Sequence, residues 1–217
     1  MTAKAFIFDM NGTMIDDMKY HTIAWHKILS DLNAGLTLEE TKLQMYGKAE
    51  EMFDRVFGAN KFEEAALQKI ILQKELAYQE AFRPYLKLIE GFDTFLQKAI
   101  TEKIKLAIGT AAPKTNVDYV LDGLALRNLF PVVVGAEDVT TSKPDPEVFL
   151  KCAEKLGVHP EDCIVFEDSP KGIEAAKNGG MKAIAITSFH PSEDFVQFDN
   201  VLFCIANYED EKLKALF

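Results

Sequence analysis

Six short apolar runs, set among turn residues and helical patterns, constrain the fold more than any other feature of the chain. They are AFIFD (Ala5 to Asp9), IKLAIG (Ile104 to Gly109), PVVVG (Pro131 to Gly135), CIVFE (Cys163 to Glu167), KAIAIT (Lys182 to Thr187) and VLFCIA (Val201 to Ala206). Their apolar residues are continuous rather than alternating, the pattern of strands buried on both faces. Periodic segments between them, Val117–Leu124, Val148–Leu156 and Ile173–Asn178, read as crossover helices. Strand–helix alternation of this kind predicts an α/β domain built on a doubly wound, mainly parallel sheet. Ligands of such sheets bind beyond the carboxyl ends of the strands.

Residues from about Asp17 to Phe82 break that rhythm. Tyr20–Leu32, Leu38–Tyr46, Glu50–Phe57 and Glu63–Ala81 read as helices with no strand among them. The expected organisation is a Rossmann-like core, residues 1–16 plus 83–217, with a small α-helical cap, residues 17–82, inserted after the first strand. Arg83-Pro84 marks the return to the sheet, because the residue before a proline is driven out of helical conformation. An insertion at that point is expected to hang over the strand ends like a lid.

The charge balance restricts the partners. A net charge of −10 and a pI near 4.9 disfavour nucleic acid and anionic membrane surfaces. Any anionic substrate must then be drawn in by a local cation, and a metal ion is the obvious candidate. Cys152, Cys163 and Cys204 sit in apolar contexts without CxxC spacing, which predicts reduced thiols and a cytoplasmic location. The first apolar run reaches Asp9 too soon for a secretory signal, and no stretch approaches the ~18 apolar residues of a membrane span. Oligomeric state leaves no mark in the sequence.

Charged and hydroxylated residues fall just after several of the strands. Asp9 ends the first, Thr110 the second, and Glu167-Asp168 the fourth, while Lys143 lies in a loop within TSKPDPE (Thr141 to Glu147). Each has an ordinary structural reading. Asn11-Gly12, within FDMNGT, is a strong hairpin signal because both residues tolerate positive φ. Thr110-Ala111-Ala112 could be any strand-to-helix turn. Asp145 is a good N-cap and Pro146 a good first helical residue, and Ser169-Pro170 repeats the arrangement. A parallel sheet nevertheless brings Asp9, Glu167 and Asp168 to one edge, where clustered carboxylates need a cation and hard oxygen ligands suit Mg²⁺. Lys143 and Thr110 would add a positive charge and a hydroxyl donor beside a metal-bound phosphate.

Taken in order, FDMNGT (Phe8 to Thr13), Ile108-Gly109-Thr110, Ser142-Lys143-Pro144 and EDSPKG (Glu167 to Gly172) resemble the four motifs of the haloacid dehalogenase superfamily. EDSPKGIEAAKNGG (Glu167 to Gly180) and YHTIAW (Tyr20 to Trp25) are similar to its β-phosphoglucomutase-like branch. The resemblance implies phosphoryl transfer to and from a small phosphorylated metabolite through an aspartyl-phosphate. It implies Asp9 as nucleophile and Mg²⁺ ligand, the Asn11 carbonyl and the Asp168 side chain as further ligands, and Glu167 acting directly or through water. Thr110, Ala111 and Lys143 would hold the phosphoryl oxygens. Hydrolysis is the leading expectation; a β-phosphoglucomutase-like isomerase and a non-catalytic metal- and phosphate-binding protein are the alternatives.

The chain departs from the resembled pattern in two places. Asn11 stands where the family has an aspartate that protonates the leaving group and then activates water; an amide cannot do either near neutral pH. In the cap, YGKAE (Tyr46 to Glu50) puts Tyr46 and Glu50 where the mutase branch has cations for a second phosphate, with Lys48 nearby. His21 and Trp25, at i and i+4, share one helix face and serve either cap packing or the active-site hinge.

Overall fold

All six apolar runs become strands of one sheet in the computed structural model, which describes residues 3–217. The strands are β1 (Ala5–Phe8), β2 (Lys105–Gly109), β3 (Val132–Val134), β4 (Cys163–Glu167), β5 (Lys182–Ile186) and β6 (Val201–Ile205). Their order is β3-β2-β1-β4-β5-β6, and every neighbouring pair is parallel. Strand β1 is therefore central, with Phe8 level with Ile108 on one side and Phe166 on the other. One residue further on, Asp9 leaves the sheet with its N–H still donating to the Phe166 carbonyl at 2.9 Å. The register alone brings the ends of β1, β2 and β4 together.

The chain divides into two compact units, the sheet unit up to Asp16 with Lys87–Phe217, and a helical unit, Asp17–Leu86. The helical unit contains α1 (Met18–Asp31), α2 (Leu38–Gln44), α3 (Ala49–Phe57) and α4 (Glu64–Phe82). Trp25, Leu29, Met52 and Phe53 form its buried centre. Thr37 starts α2 with a capping box, its hydroxyl accepting from the Glu40 N–H while the Glu40 carboxylate accepts from the Thr37 N–H.

The sheet unit adds α5 (Phe92–Thr101), α6 (Lys114–Gly123), α7 (Glu147–Leu156) and α8 (Pro170–Asn178). Alternation along β1 feeds two cores. Ala5 and Ile7 join the cluster that contains Phe149, Cys152 and Ile173 of α7 and α8. Phe6 and Phe8 face the other way, into an aromatic cluster with Phe92, Phe95 and Phe166. Helix α5 has no counterpart in the sequence reading, although Phe92, Phe95, Leu96 and Ala99 repeat at helical spacing and are all buried.

Turn and cap chemistry came out unevenly. Ser169 caps α8 as its type predicts, its hydroxyl accepting from the Gly172 N–H at 3.1 Å, and Pro170 is the first helical residue. Helix α7 starts at Glu147, a residue later than expected, with Pro146 at the cap and the Asp145 carboxylate accepting from the Glu147 N–H at 2.9 Å. Asn11-Gly12 makes no hairpin. Asn11 forms a single parallel bridge to Ile15, which bridges Leu88 in turn, and β1 pairs with strands parallel to it.

Candidate active site

Lys143 is the centre of the constellation at the sheet edge. Its ammonium donates to Asp9 Oδ1 at 2.7 Å and to Glu167 Oε1 at 2.8 Å, and all three side chains are buried. Burial works against the lysine charge, but Asp9 and Glu167 more than reverse that, so its pKa is raised. The other oxygen of Glu167 accepts from the Ser169 N–H at 2.6 Å. Gly172 makes room for this carboxylate: a Cβ there would lie 1.8 Å from Glu167 Oε1.

Asp9, Glu167 and Asp168 each offer an oxygen within 4.8 Å of the others. Three carboxylates set against one ammonium leave two negative charges in a buried place, which like charges do not share without a cation. An all-oxygen donor set of this charge fits a hard divalent ion such as Mg²⁺. Of the residues expected to hold such an ion, Asp9, Glu167 and Asp168 are thus gathered in one place.

Thr110 follows β2 directly, its N–H donating to the Val134 carbonyl at 3.0 Å. Its hydroxyl oxygen accepts from the Ala112 N–H at 3.1 Å, which leaves the hydroxyl proton to donate elsewhere. Thr110 is buried and Ala111 is exposed. Asn11 is half-buried, in a loop where the N–H groups of Thr13, Met14 and Ile15 all turn back to the Met10 carbonyl. Two residues that the sequence reading missed also reach this loop: Ser188 Oγ donates to the Gly12 carbonyl, and the Tyr208 hydroxyl to the Thr13 carbonyl.

His21, Trp25, Tyr46, Lys48 and Glu50 all belong to the helical unit. Trp25 packs edge-on to Phe53 in that unit's core. His21 enters a buried polar cluster instead. Its Nδ1 lies 2.5 Å from the Lys74 ammonium, which only donates, so Nδ1 accepts and Nε2 carries the proton that faces Asp17 at 3.4 Å. Lys74 also donates to Glu75 at 3.0 Å, and the Tyr78 hydroxyl donates to Asp17. None of these four partners was singled out from sequence. Lys74 had a signal, since it interrupts an i, i+4 series made by Ile70, Tyr78 and Phe82. Tyr46 lies under the Arg55 guanidinium at 3.7 Å, and Arg55 also donates to the Gln44 and Tyr46 carbonyls at 2.7 Å. The Lys48 N–H donates to Glu51, and Glu50 accepts from Gln68 at 2.8 Å.

Comparison with known proteins gives this geometry a context. The family model for haloacid dehalogenase-like hydrolases matches residues 6–186. The chain is 30% identical over 194 residues to the β-phosphoglucomutase of Bacillus subtilis, covering 87% of this chain and 85% of that protein. It is 31% identical over 193 residues to a fructose-1-phosphate phosphatase of Escherichia coli, covering 83% and 94% respectively. Among solved structures, a HAD hydrolase of family IA, variant 3, from Entamoeba histolytica superposes with a TM-score of 0.85 at 25% identity, over 98% of each chain.

Proposed function

We propose that this chain, which belongs to the haloacid dehalogenase-like hydrolase family, is a Mg²⁺-dependent phosphatase acting on a small phosphorylated sugar or related metabolite through Asp9. It is an enzyme of the phosphohydrolase or phosphomutase type. The observation that carries the narrower reading is the buried cluster in which Lys143 bridges Asp9 and Glu167 while Asp168 stands within ligand reach.

Asp9, Asp168 and the main-chain carbonyl of Asn11 would hold Mg²⁺, with Glu167 acting directly or through water. Bound Mg²⁺ supplies charge neutralisation at the phosphoryl oxygens. Asp9 forms a bond from its carboxylate oxygen to phosphorus as the bond from phosphorus to the leaving oxygen breaks. Lys143 and Thr110, with the turn at Ala111, orient the phosphoryl oxygens in line with that attack. The leaving oxygen takes its proton from solvent, since Asn11 has none to give. Water then attacks phosphorus, which releases inorganic phosphate and restores the Asp9 carboxylate. The three free thiols fit a reducing compartment, the cytoplasm.

The phosphomutase reading draws support from the Bacillus relative. It meets an obstacle at Glu50, whose carboxylate is bound to Gln68 and would repel a second phosphate. A panel of phosphorylated metabolites with Mg²⁺, scored for released phosphate and for mass transfer to the protein, tests the proposal. Wild type should release phosphate and Asp9→Asn, shown folded by circular dichroism, should not. Equal turnover by the two proteins would remove Asp9 from the nucleophile role, and isomerisation of glucose 1-phosphate without phosphate release would favour the mutase.

A further inference from the structure

The loop that carries Lys143 is tied down at its surface end by one carboxylate. Glu147 is the first residue of α7, and its side chain reaches back over the loop that precedes it. Its Oε2 accepts from the Thr140 N–H at 2.8 Å and the Thr141 N–H at 2.9 Å, and its Oε1 from the Thr140 hydroxyl at 3.2 Å. The Lys151 ammonium, one turn along α7, donates to Glu147 Oε1 at 2.6 Å and to the Asp138 carbonyl at 2.6 Å. The bond from Lys151, then those from the Thr141 and Thr140 N–H groups, hold the Glu147 carboxyl down to about 2, so it stays ionised. Asp138, Thr140 and Thr141 are thereby tied to α7, with Lys143 between the two ends.

An i, i+4 ion pair on a helix surface is ordinarily worth little. This pair differs because both partners also hold main-chain groups of a second segment. The middle of the loop is fastened too: the Asp145 N–H donates to the Ser142 carbonyl at 3.0 Å, and the Asn178 amide to the Pro144 carbonyl at 2.9 Å. Helix α7 also supplies an aromatic face to the ammonium, with Lys143 Nζ 4.7 Å from the centre of the Phe149 ring. In the resting site Lys143 is paired with Asp9 and Glu167. When an Asp9 oxygen bonds to phosphorus, its charge moves onto the phosphoryl oxygens and the ammonium must follow. How far it can stray is then set by the loop backbone.

We propose that Glu147, braced by Lys151, is a positioning residue: it clamps Thr140 and Thr141 to α7 and so holds the Lys143 ammonium on the phosphoryl group during transfer. This rests on the phosphatase reading of the site, and the test keeps the two separable. Glu147→Gln keeps the size of the side chain, but an amide has one acceptor oxygen where the carboxylate uses two. Lys151→Met removes the brace and keeps an apolar stem. Asp31→Asn breaks the exposed i, i+4 pair with Lys27 in α1, and so controls for loss of a surface pair alone. The substrate probe is p-nitrophenyl phosphate with Mg²⁺, because nitrophenolate leaves without needing a proton. Amide hydrogen exchange, resolved by residue, is the second measurement.

Glu147→Gln should lower kcat about tenfold, the scale of one charge-assisted hydrogen bond, with KM within about twofold of wild type. Exchange at Thr140, Thr141 and Lys143 should quicken by a similar factor and stay unchanged in the strands. Lys151→Met should move both quantities the same way by about threefold, and Asp31→Asn should move neither. If wild type releases no nitrophenolate while Glu147→Gln still exchanges faster at those three amides, the clamp stands and the phosphatase reading falls. A wild-type kcat in Glu147→Gln overturns the positioning role. So does faster exchange spread over the whole sheet, or an equal loss of turnover in Asp31→Asn.

Discussion

In the proposed mechanism, Asn11 is the residue on which the rate turns. Its carbonyl is unaffected by the amide, but no proton can be passed to a departing alkoxide. Asn11→Asp adds a titratable oxygen at the same size, and hydrolysis of sugar phosphates should rise by ~10²-fold, within the range of one positioned acid–base group. The assay compares freshly purified wild type, aged wild type and the variant, with intact mass recorded for each so that deamidated protein is not mistaken for native activity. No gain on any substrate would move attention to Tyr46 and Glu50. A second consequence belongs to His21. Burial, then the Lys74 charge, hold its pKa below the ordinary 6.5, against the opposing pull of Asp17 and Glu75. The unfolded chain therefore takes up a proton near pH 6.5 that the folded helical unit refuses, so stability falls as pH drops through that value. Urea midpoints at pH 7.5 and 5.5 should show wild type losing up to about 1 kcal/mol more than His21→Gln. Equal losses would assign the acid sensitivity to other groups.

At the scale of elements, the start of α8 is the part most exposed to a small change. The Glu167 carboxylate occupies the space a side chain at Gly172 would need, pinned there by Lys143 and the Ser169 N–H. Gly172→Ala must push the carboxylate off Lys143, which should cost roughly 2–4 kcal/mol and weaken Mg²⁺ binding. Thermal unfolding and a Mg²⁺ titration check this together; wild-type values in both would mean that Glu167 has another seat available. Elements of the sheet were the most legible part of the fold, because strands covered on both faces write themselves as unbroken apolar runs. Helix α5 was overlooked despite its spacing, and α7 began a residue late because the Asp145 carboxylate bonds to the Glu147 N–H while Pro146 takes the cap. Asn11-Gly12 carries a hairpin signal that the fold does not use: the pair supplies positive φ at Gly12 without a returning strand.

For the whole molecule, charge sets the approach of substrate. With a net charge of −10, a phosphate dianion meets long-range repulsion that salt screens, so kcat/KM should rise by about twofold between low and moderate ionic strength. A fall with added salt would mean that a local positive field outweighs the net charge. The clustering of Asp9, Glu167 and Asp168 could be read from sequence because parallel strands deliver their carboxyl ends to one edge, and Lys143 joins them from a loop. Ser188 and Tyr208 could not, because both donate to main-chain carbonyls, and a backbone acceptor leaves no residue type to recognise. Their distance along the chain has a consequence for synthesis. Lys143 reaches its partner Asp9 across 134 positions, and Tyr208 reaches Thr13 across 195. The carboxylate proposed as nucleophile is therefore made well before the ammonium that ties it to Glu167, so a chain broken off ahead of Lys143 carries Asp9 without that partner.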